Sequence, residues 1–246
     1  MTLAAKTLIR PVPDNIIEVN FRKEEPASLR RSTSLFTSDG RPKPSAADPI
    51  RNIADIKAMQ EYYMSHGQIR NYTIFTLGIM FGLRAGDLLS LRWHHLYTPD
   101  YTFKQRCDVI ESKTRKSNNP AITPEVRAII TAYRDTLPEN IGYHDPVFIS
   151  AKRDENRNYQ AITISALNRA LKAAAKAVGI TSHISSHSLR KTFAYQLLQQ
   201  NQGDDDAKFA LQRMLNHNDF KTTLTYCGLA QDAMDSYRSA LGEVIL

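Results

Sequence analysis

The sequence has only two cysteines, Cys107 and Cys227, and neither belongs to a Cys-x-x-Cys motif. Two thiols cannot build the disulfide framework of a small secreted domain. A reducing, cytosolic compartment is therefore expected, with the chain associated with the nucleoid if its partner is DNA.

Long apolar segments are also missing. The most apolar run, residues 72–83, is too short for a bilayer, which takes about 20 residues to cross. It predicts a buried helix instead. The first residues do not resemble a signal peptide, no internal repeat is visible, and no nucleotide-binding GxxxxGK(S/T) motif occurs. No membrane partner is expected.

Basic residues are plentiful. Lys and Arg outnumber Asp and Glu by 32 to 25, which gives a net charge of +7 and a pI near 9.4. Such an excess favours a polyanionic partner such as nucleic acid, because each neutralised phosphate releases condensed counterions. The 42% of hydrophobic residues is enough for a sizeable core.

Residues 1–50 differ in composition from the rest. They hold six of the eleven prolines, basic residues and only short apolar patches. This composition predicts an extended, basic N-terminal arm or linker. Whether the arm follows a phosphate backbone or stays in solvent is left open by the sequence. A globular domain is expected over residues 51–246.

Helical periodicity dominates from residue 53 onward. Helices are expected at 53–66, 69–81, 124–133, 162–178, 187–200, 205–215, 219–226 and 230–241, and a short one begins at Gly86 and Asp87. Gly82 is expected to end the second helix as a C-terminal cap. Residues 103–110 predict a strand, 117–120 a turn and 121–122 its return. The expected class is mainly α with a small antiparallel β-sheet (α+β).

Arg84 directly follows the most apolar helix, so its guanidinium is expected to be partly desolvated. A buried charge is tolerated only when it is paired. One interpretation is a structural salt bridge to Asp87, three residues on. The other is an anion site.

His187 and Arg190 lie three residues apart and therefore share one helix face. Ser185 or Ser186 is a plausible N-cap, which would place both side chains near the positive end of the helix dipole, where anions bind. An ordinary surface pair is the alternative.

Three further residues have a structural and a functional interpretation. Lys113 lies where the first strand meets its turn, and lysines there are commonly just solvated. His217 falls in a turn between two expected helices. Tyr226 ends the second of them, where a tyrosine commonly packs.

Taken in order, these residues resemble the tyrosine recombinase family. The matching strings are GLRAGDL with LRW (residues 82–88 and 91–93), SKT (112–114), HSLRKTFA (187–194), and LNH (215–217) followed by two threonines and Tyr226. The resemblance spans about residues 50–240, and four strings in family order are far more specific than any one of them.

The resemblance implies the catalytic-domain fold of that family and a site-specific recombinase or integrase that acts in DNA recombination, for example of a mobile element. Tyr226 is implied as the nucleophile that forms a 3′-phosphotyrosyl link, and Arg84 and Arg190 as the phosphate ligands. His187 would assist proton transfer, His217 would hydrogen-bond the phosphate, and Lys113 would protonate the leaving 5′-oxygen. No cofactor and no metal are expected.

Double-stranded DNA is the implied partner, with four protomers on synapsed DNA and a monomer or weak oligomer without it. The sequence departs from the family at two points. Asn216 stands where glycine is common, a position at which asparagine can adopt positive φ. The proline-rich arm replaces a full core-binding domain, which leaves room for accessory DNA-bending proteins.

Three alternatives stay open. A type IB topoisomerase uses similar chemistry without choosing sites, and a DNA-binding regulator would have lost catalysis. A metal-dependent nuclease would use His183 and His187 as an i, i+4 pair, although no HExxH motif is present. DNA target and direction of reaction (integration, excision or dimer resolution) are not encoded in any motif.

Overall fold

The computed structural model describes residues 47–216 together with 223, 238 and 239. In this part of the chain the helices are α1 (Ile53–Ser65), α2 (Ile69–Phe81), α3 (Ala85–Leu89), α4 (Trp93–Leu96), α5 (Pro124–Arg134), α6 (Ile164–Ala177), α7 (Ser186–Gln200) and α8 (Asp205–Met214). The strands are β1 (Val109–Ile110), β2 (Ser117–Asn118), β3 (Ile149–Arg153) and β4 (Tyr159–Ala161).

Several helices begin at a polar side chain that caps the first turn. The side chain of Asn52 accepts a hydrogen bond from the backbone N–H of Ala54 at the start of α1. Thr123 does the same for Val126 in α5, where proline occupies the first turn. Such caps satisfy N–H groups that have no partner inside the helix, and they explain why the predicted helix starts agree closely with the structure.

Helix α2 is the centre of the core. Residues from Thr73 to Gly78 are all buried, and α2 packs against α1, α3, α5, α6 and α7. A helix surrounded in this way must be apolar on nearly all faces. The prediction of a buried helix at 69–81 is confirmed.

Gly82 ends α2 in the left-handed conformation, with φ of +61°, as predicted. A Cβ on this residue would lie only 2.3 Å from Cδ1 of Phe193 in α7. We therefore expect Gly82→Ala to lower the free energy of unfolding by about 3 kcal/mol, since left-handed backbone costs an L-residue roughly 1–2 kcal/mol and overpacking costs a further 1–3 kcal/mol. Urea denaturation measures this loss.

Gly179→Ala is the matched control for this variant. Gly179 also has positive φ, +81°, but a Cβ there would meet no atom within 4 Å. Its loss is expected to stay near the backbone part alone, about 1 kcal/mol. Equal losses in the two variants would contradict a tight contact between Gly82 and Phe193.

The class predicted from sequence, mainly α with a small antiparallel sheet, is confirmed, although the described residues hold two such sheets. β1 pairs with β2, and β3 pairs with β4. The turn predicted at 117–120 is wrong, because Ser117 and Asn118 form β2 and the chain reverses between residues 111 and 116. The β3–β4 hairpin and α4 were not predicted. Strands of three to five largely exposed residues, and a helix of only four residues, are too short to show a clear periodicity.

Residues 48–50 pack on the helical domain. The backbone N–H of Ile50 donates to Oγ1 of Thr192 at 2.8 Å, and that of Asp48 donates to the carbonyl of His183 at 2.9 Å. Residues 1–46 of the expected arm lie outside the described residues. So do the helices expected at 219–226 and 230–241, apart from positions 223, 238 and 239. None of the described helices is both long and apolar enough to cross a membrane.

Candidate active site

Arg84 stands at the junction of α2 and α3. After the left-handed Gly82 the chain enters α3 with Arg84 in extended conformation at its N-cap position. Its guanidinium forms an ion pair with the carboxylate of Glu111, and its side chain is 22% exposed. Asp87, the partner considered from sequence, instead accepts the backbone N–H of Ser112 at 2.9 Å.

Arg190 lies in the second turn of α7 and is almost fully enclosed, with 3% of its side chain exposed. Nη1 donates to the carbonyl of Gly82 at 3.0 Å and to Oε1 of Glu111 at 3.1 Å. Nη2 donates to the carbonyl of Leu215 at 2.6 Å. The guanidinium thus joins the end of α2 and the end of α8 to the β1–β2 hairpin.

Both arginines therefore converge on one carboxylate. The Glu111 side chain has no exposed surface and also accepts from Oγ1 of Thr114 at 2.7 Å and Nδ2 of Asn118 at 3.1 Å. Burial by itself raises the pKa of Glu111. The hydrogen bonds from Thr114, Asn118 and Arg84, together with the charge of Arg190, outweigh burial and lower this pKa to about 2. Glu111 is an anion at any physiological pH.

Lys113 lies two residues beyond Glu111, in the turn between β1 and β2, and is exposed. This turn is anchored at one end by the bond from Ser112 to Asp87 and at the other by Asn118, whose Nδ2 also donates to the carbonyl of Met214 at 3.0 Å. Lys113 therefore lies in the turn of a hairpin whose Glu111 contacts both Arg84 and Arg190.

His187 is exposed in the first turn of α7, one turn before Arg190. The predicted helix start is confirmed: Ser185 is the N-cap residue, and its backbone N–H donates to Oγ of Ser188 at 3.0 Å. His183 precedes the helix, so His183 and His187 do not form the helical i, i+4 pair considered for a metal-dependent nuclease. Within the described ranges no three His, Cys, Asp or Glu side chains are grouped as a metal site.

His217 and Tyr226 lie outside the described residues. The two residues before His217, Leu215 and Asn216, are described. Leu215 provides the carbonyl for Arg190, and Asn216 has a φ of 52°, the positive value anticipated for an asparagine in a position where glycine is common. Thr223, three residues before Tyr226, is fully buried.

Glu111 was missed at the sequence level, although a signal for it exists. Cys107 and Val109 are buried while Asp108 and Ile110 are exposed, which is the alternation of a strand with one face inward. Continuing that alternation puts position 111 inward. An acidic residue there, within a hairpin rich in basic residues, must find cations.

The chemistry available to this cluster is anion binding. Arg84 and Arg190 share one carboxylate, Glu111, which directly precedes the turn of Lys113. Planar guanidinium groups bind phosphate oxygens in bidentate geometry. The arrangement suits a phosphodiester.

Comparisons with known proteins agree with this geometry. Residues 51–232 match the model of the phage integrase family. The "Probable integrase/recombinase YoeC" of Bacillus subtilis (strain 168) is 31% identical over 184 residues, which are 75% of this chain and 91% of that protein. The "Tyrosine recombinase XerC" of Rickettsia canadensis (strain McKiel) is 26% identical over 186 residues, 75% of this chain and 55% of XerC. The chain spans about half the length of such XerC relatives.

Solved structures show the same fold. The crystal structure of XerA recombinase has a TM-score of 0.57 at 22% identity and covers 80% of this chain and 66% of its own. A λ integrase dimer bound to a COC′ core site has a TM-score of 0.55 at 16% identity, covering 76% of this chain and 49% of its own. The expected catalytic-domain fold is thereby confirmed. The chain belongs to the phage integrase family, the family of the tyrosine recombinases.

Proposed function

We propose that the chain is a site-specific DNA recombinase that cleaves and rejoins strands through a 3′-phosphotyrosyl intermediate on Tyr226. The observation that carries this proposal is the convergence of Arg84 and Arg190, distant in sequence, on one buried carboxylate beside the turn of Lys113. Two permanently charged guanidinium groups held close together suit a phosphodiester. They stabilise the negative charge that grows on its oxygens in the transition state.

Each site residue has a role in this reaction. Arg84 and Arg190 bind the non-bridging oxygens of the scissile phosphate, and His217 donates a hydrogen bond to it. The Tyr226 hydroxyl attacks phosphorus, with His187 assisting the proton transfer, and the bond to the 5′-oxygen breaks. Lys113 gives that oxygen its proton, so a 5′-hydroxyl leaves.

The positive cluster also addresses the weak acidity of the nucleophile. A free tyrosine has a pKa near 10, so only about one in a thousand is ionised at pH 7. A strongly positive site together with a proton acceptor favours the phenolate. The phosphotyrosyl bond preserves the energy of the cleaved phosphodiester, so attack by the 5′-hydroxyl of another strand restores a DNA backbone without a nucleotide cofactor.

We further propose the partners and organisation that this reaction implies. Double-stranded DNA is the substrate, and four protomers act on two synapsed duplexes, with accessory DNA-bending proteins as further partners. The similarity to structures of λ integrase on DNA, which include a tetramer bound to a Holliday junction, supports this. Residues 1–50 form an arm, residues 51–246 form the catalytic domain, and the chain works on the nucleoid.

Covalent capture tests the proposal. The protein is incubated with a pool of duplexes that have randomised sequence and a fixed nick, so that cleavage near the nick releases a short 5′-hydroxyl fragment and traps the adduct. Adducts are isolated under denaturing conditions and their DNA is sequenced. We expect adducts that persist in EDTA and are enriched in one sequence motif.

Each alternative gives a different result in the same experiment. Adducts without any sequence preference, together with relaxation of supercoiled plasmid at low protein concentration, would identify a topoisomerase. DNA binding without any adduct would identify a regulator. Cleavage that EDTA abolishes would identify a metal-dependent nuclease.

A further inference from the structure

We infer that Glu111 is a positioning residue for recombination, which holds the guanidiniums of Arg84 and Arg190 in the geometry that receives the phosphate. The inference rests on the proposed function and adds to it a residue outside the family motifs quoted above. Its basis is that one fully buried carboxylate contacts both arginines.

The hydrogen-bonding capacity of this carboxylate is used up by the protein. Oε2 accepts from Arg84 and from Thr114 at 2.7 Å. Oε1 accepts from Arg190 at 3.1 Å and Asn118 at 3.1 Å. Four donors match the roughly four lone-pair sites of a carboxylate. Glu111 therefore has nothing left to offer DNA, and it acts through the arginines.

A fixed carboxylate solves a problem that two adjacent guanidiniums create. Arginine is always protonated, so two guanidiniums brought together repel one another. Their long side chains also have many rotamers. Glu111 offsets the repulsion and selects one rotamer of each side chain, and its single negative charge is shared between the two guanidiniums.

The same residue links the arginines to the general acid. Glu111 directly precedes Ser112 and Lys113, and Asn118 connects it to the other strand of the hairpin and to the Met214 carbonyl at the end of α8. A shift of Glu111 would therefore move the turn of Lys113 and both phosphate ligands together. Active-site geometry tolerates displacements of only about 0.5 Å.

Glu111→Gln is the decisive variant, because glutamine keeps the volume but turns one acceptor into a donor that faces a guanidinium. We expect the rate of adduct formation at saturating nicked DNA to fall about 100-fold. DNA affinity should be unchanged or higher, because a negative charge is lost. Asp108→Asn is the matched control: it removes the same charge from the same hairpin, where Asp108 is exposed and pairs only with Lys104 among the described residues. Its rate should equal that of the wild type.

A double-mutant cycle separates positioning from a general loss of structure. In an Arg84→Ala background the change Glu111→Gln should cost far less than 100-fold, because much of its effect passes through Arg84. Thr114→Val, which removes one donor to Oε2 from a half-buried turn residue, should lower the rate several-fold while the thermal midpoint falls by only a few degrees, as expected for one lost hydrogen bond. It keeps the test valid if Glu111→Gln is poorly folded.

Several outcomes would overturn the inference. These are a Glu111→Gln rate within threefold of wild type, a rate above wild type (as expected for a carboxylate that blocks the phosphate site), or the full 100-fold loss repeated in the Arg84→Ala background. A wild-type protein that forms no adduct would instead refute the proposed function, so the two failures are distinguishable.

Discussion

Tyr226→Phe should abolish the covalent protein–DNA adduct, with a loss of more than about 10³-fold, because removal of a nucleophile leaves only the catalysis that binding provides. Phenylalanine keeps the ring and changes no charge, so affinity for the same duplex should remain. A radiolabelled nicked substrate resolved on a denaturing gel measures the adduct, and fluorescence anisotropy measures binding.

Tyr237→Phe provides the control, since Tyr237 is the next tyrosine along the chain. Its adduct yield should equal that of the wild type. An undiminished adduct in Tyr226→Phe would refute the assignment of the nucleophile. Loss of the adduct in Tyr237→Phe alone would move the nucleophile to the later residue.

The helices were accessible to sequence reasoning because their signals are local. The helix predicted at 69–81 and the glycine after it define α2, and both bounds agree with the structure. In α7 the N-cap serine defines the start, and Ala194 and Leu198, which continue the face of Arg190, are buried. Caps and periodicity are properties of neighbouring residues, and distant contacts only reinforce them.

The β1–β2 hairpin was misplaced because the residues that look like its turn belong to a strand and make other contacts. Two asparagines and a proline at 118–120 are typical of a turn. In the structure Asn118 belongs to β2, and its side chain binds Glu111 and the Met214 carbonyl. The chain reverses earlier, where Arg115 adopts positive φ. Arginine is rarely found in that conformation, so the residue type gives no prediction of it.

The site shows the same division between local and distant information. Arg84, Arg190 and Lys113 could be chosen from motifs, but the partner of Arg84 could not. Sequence proximity suggested Asp87, whereas the pair forms with Glu111, 27 residues away in sequence. A contact of that kind depends on how α3 and the hairpin pack, and only the strand alternation at 107–111 points to it.

Arg190→Lys should lower the rate of adduct formation by about 10²–10³-fold, the cost of losing one preorganised donor to a growing oxyanion. Lysine keeps the charge, so electrostatic attraction of DNA persists, but its single ammonium cannot reproduce a planar fork. The Arg190 guanidinium also holds neighbouring elements together. Its two terminal nitrogens donate hydrogen bonds to the Gly82 carbonyl, the Leu215 carbonyl and Glu111. Single-turnover adduct formation at saturating DNA measures the effect on chemistry apart from binding.

Arg213→Lys is the matched control, because Arg213 is an exposed arginine near the end of α8. The same substitution there should leave the rate at the wild-type value. An Arg190→Lys rate within a few-fold of wild type would show that charge alone suffices at this position and that bidentate geometry is not what the enclosed guanidinium supplies. A loss confined to Arg190→Lys, with unchanged DNA affinity, would establish that the fixed orientation of the Arg190 guanidinium stabilises the transition state. That role would explain why the protein encloses a charged group whose burial is costly.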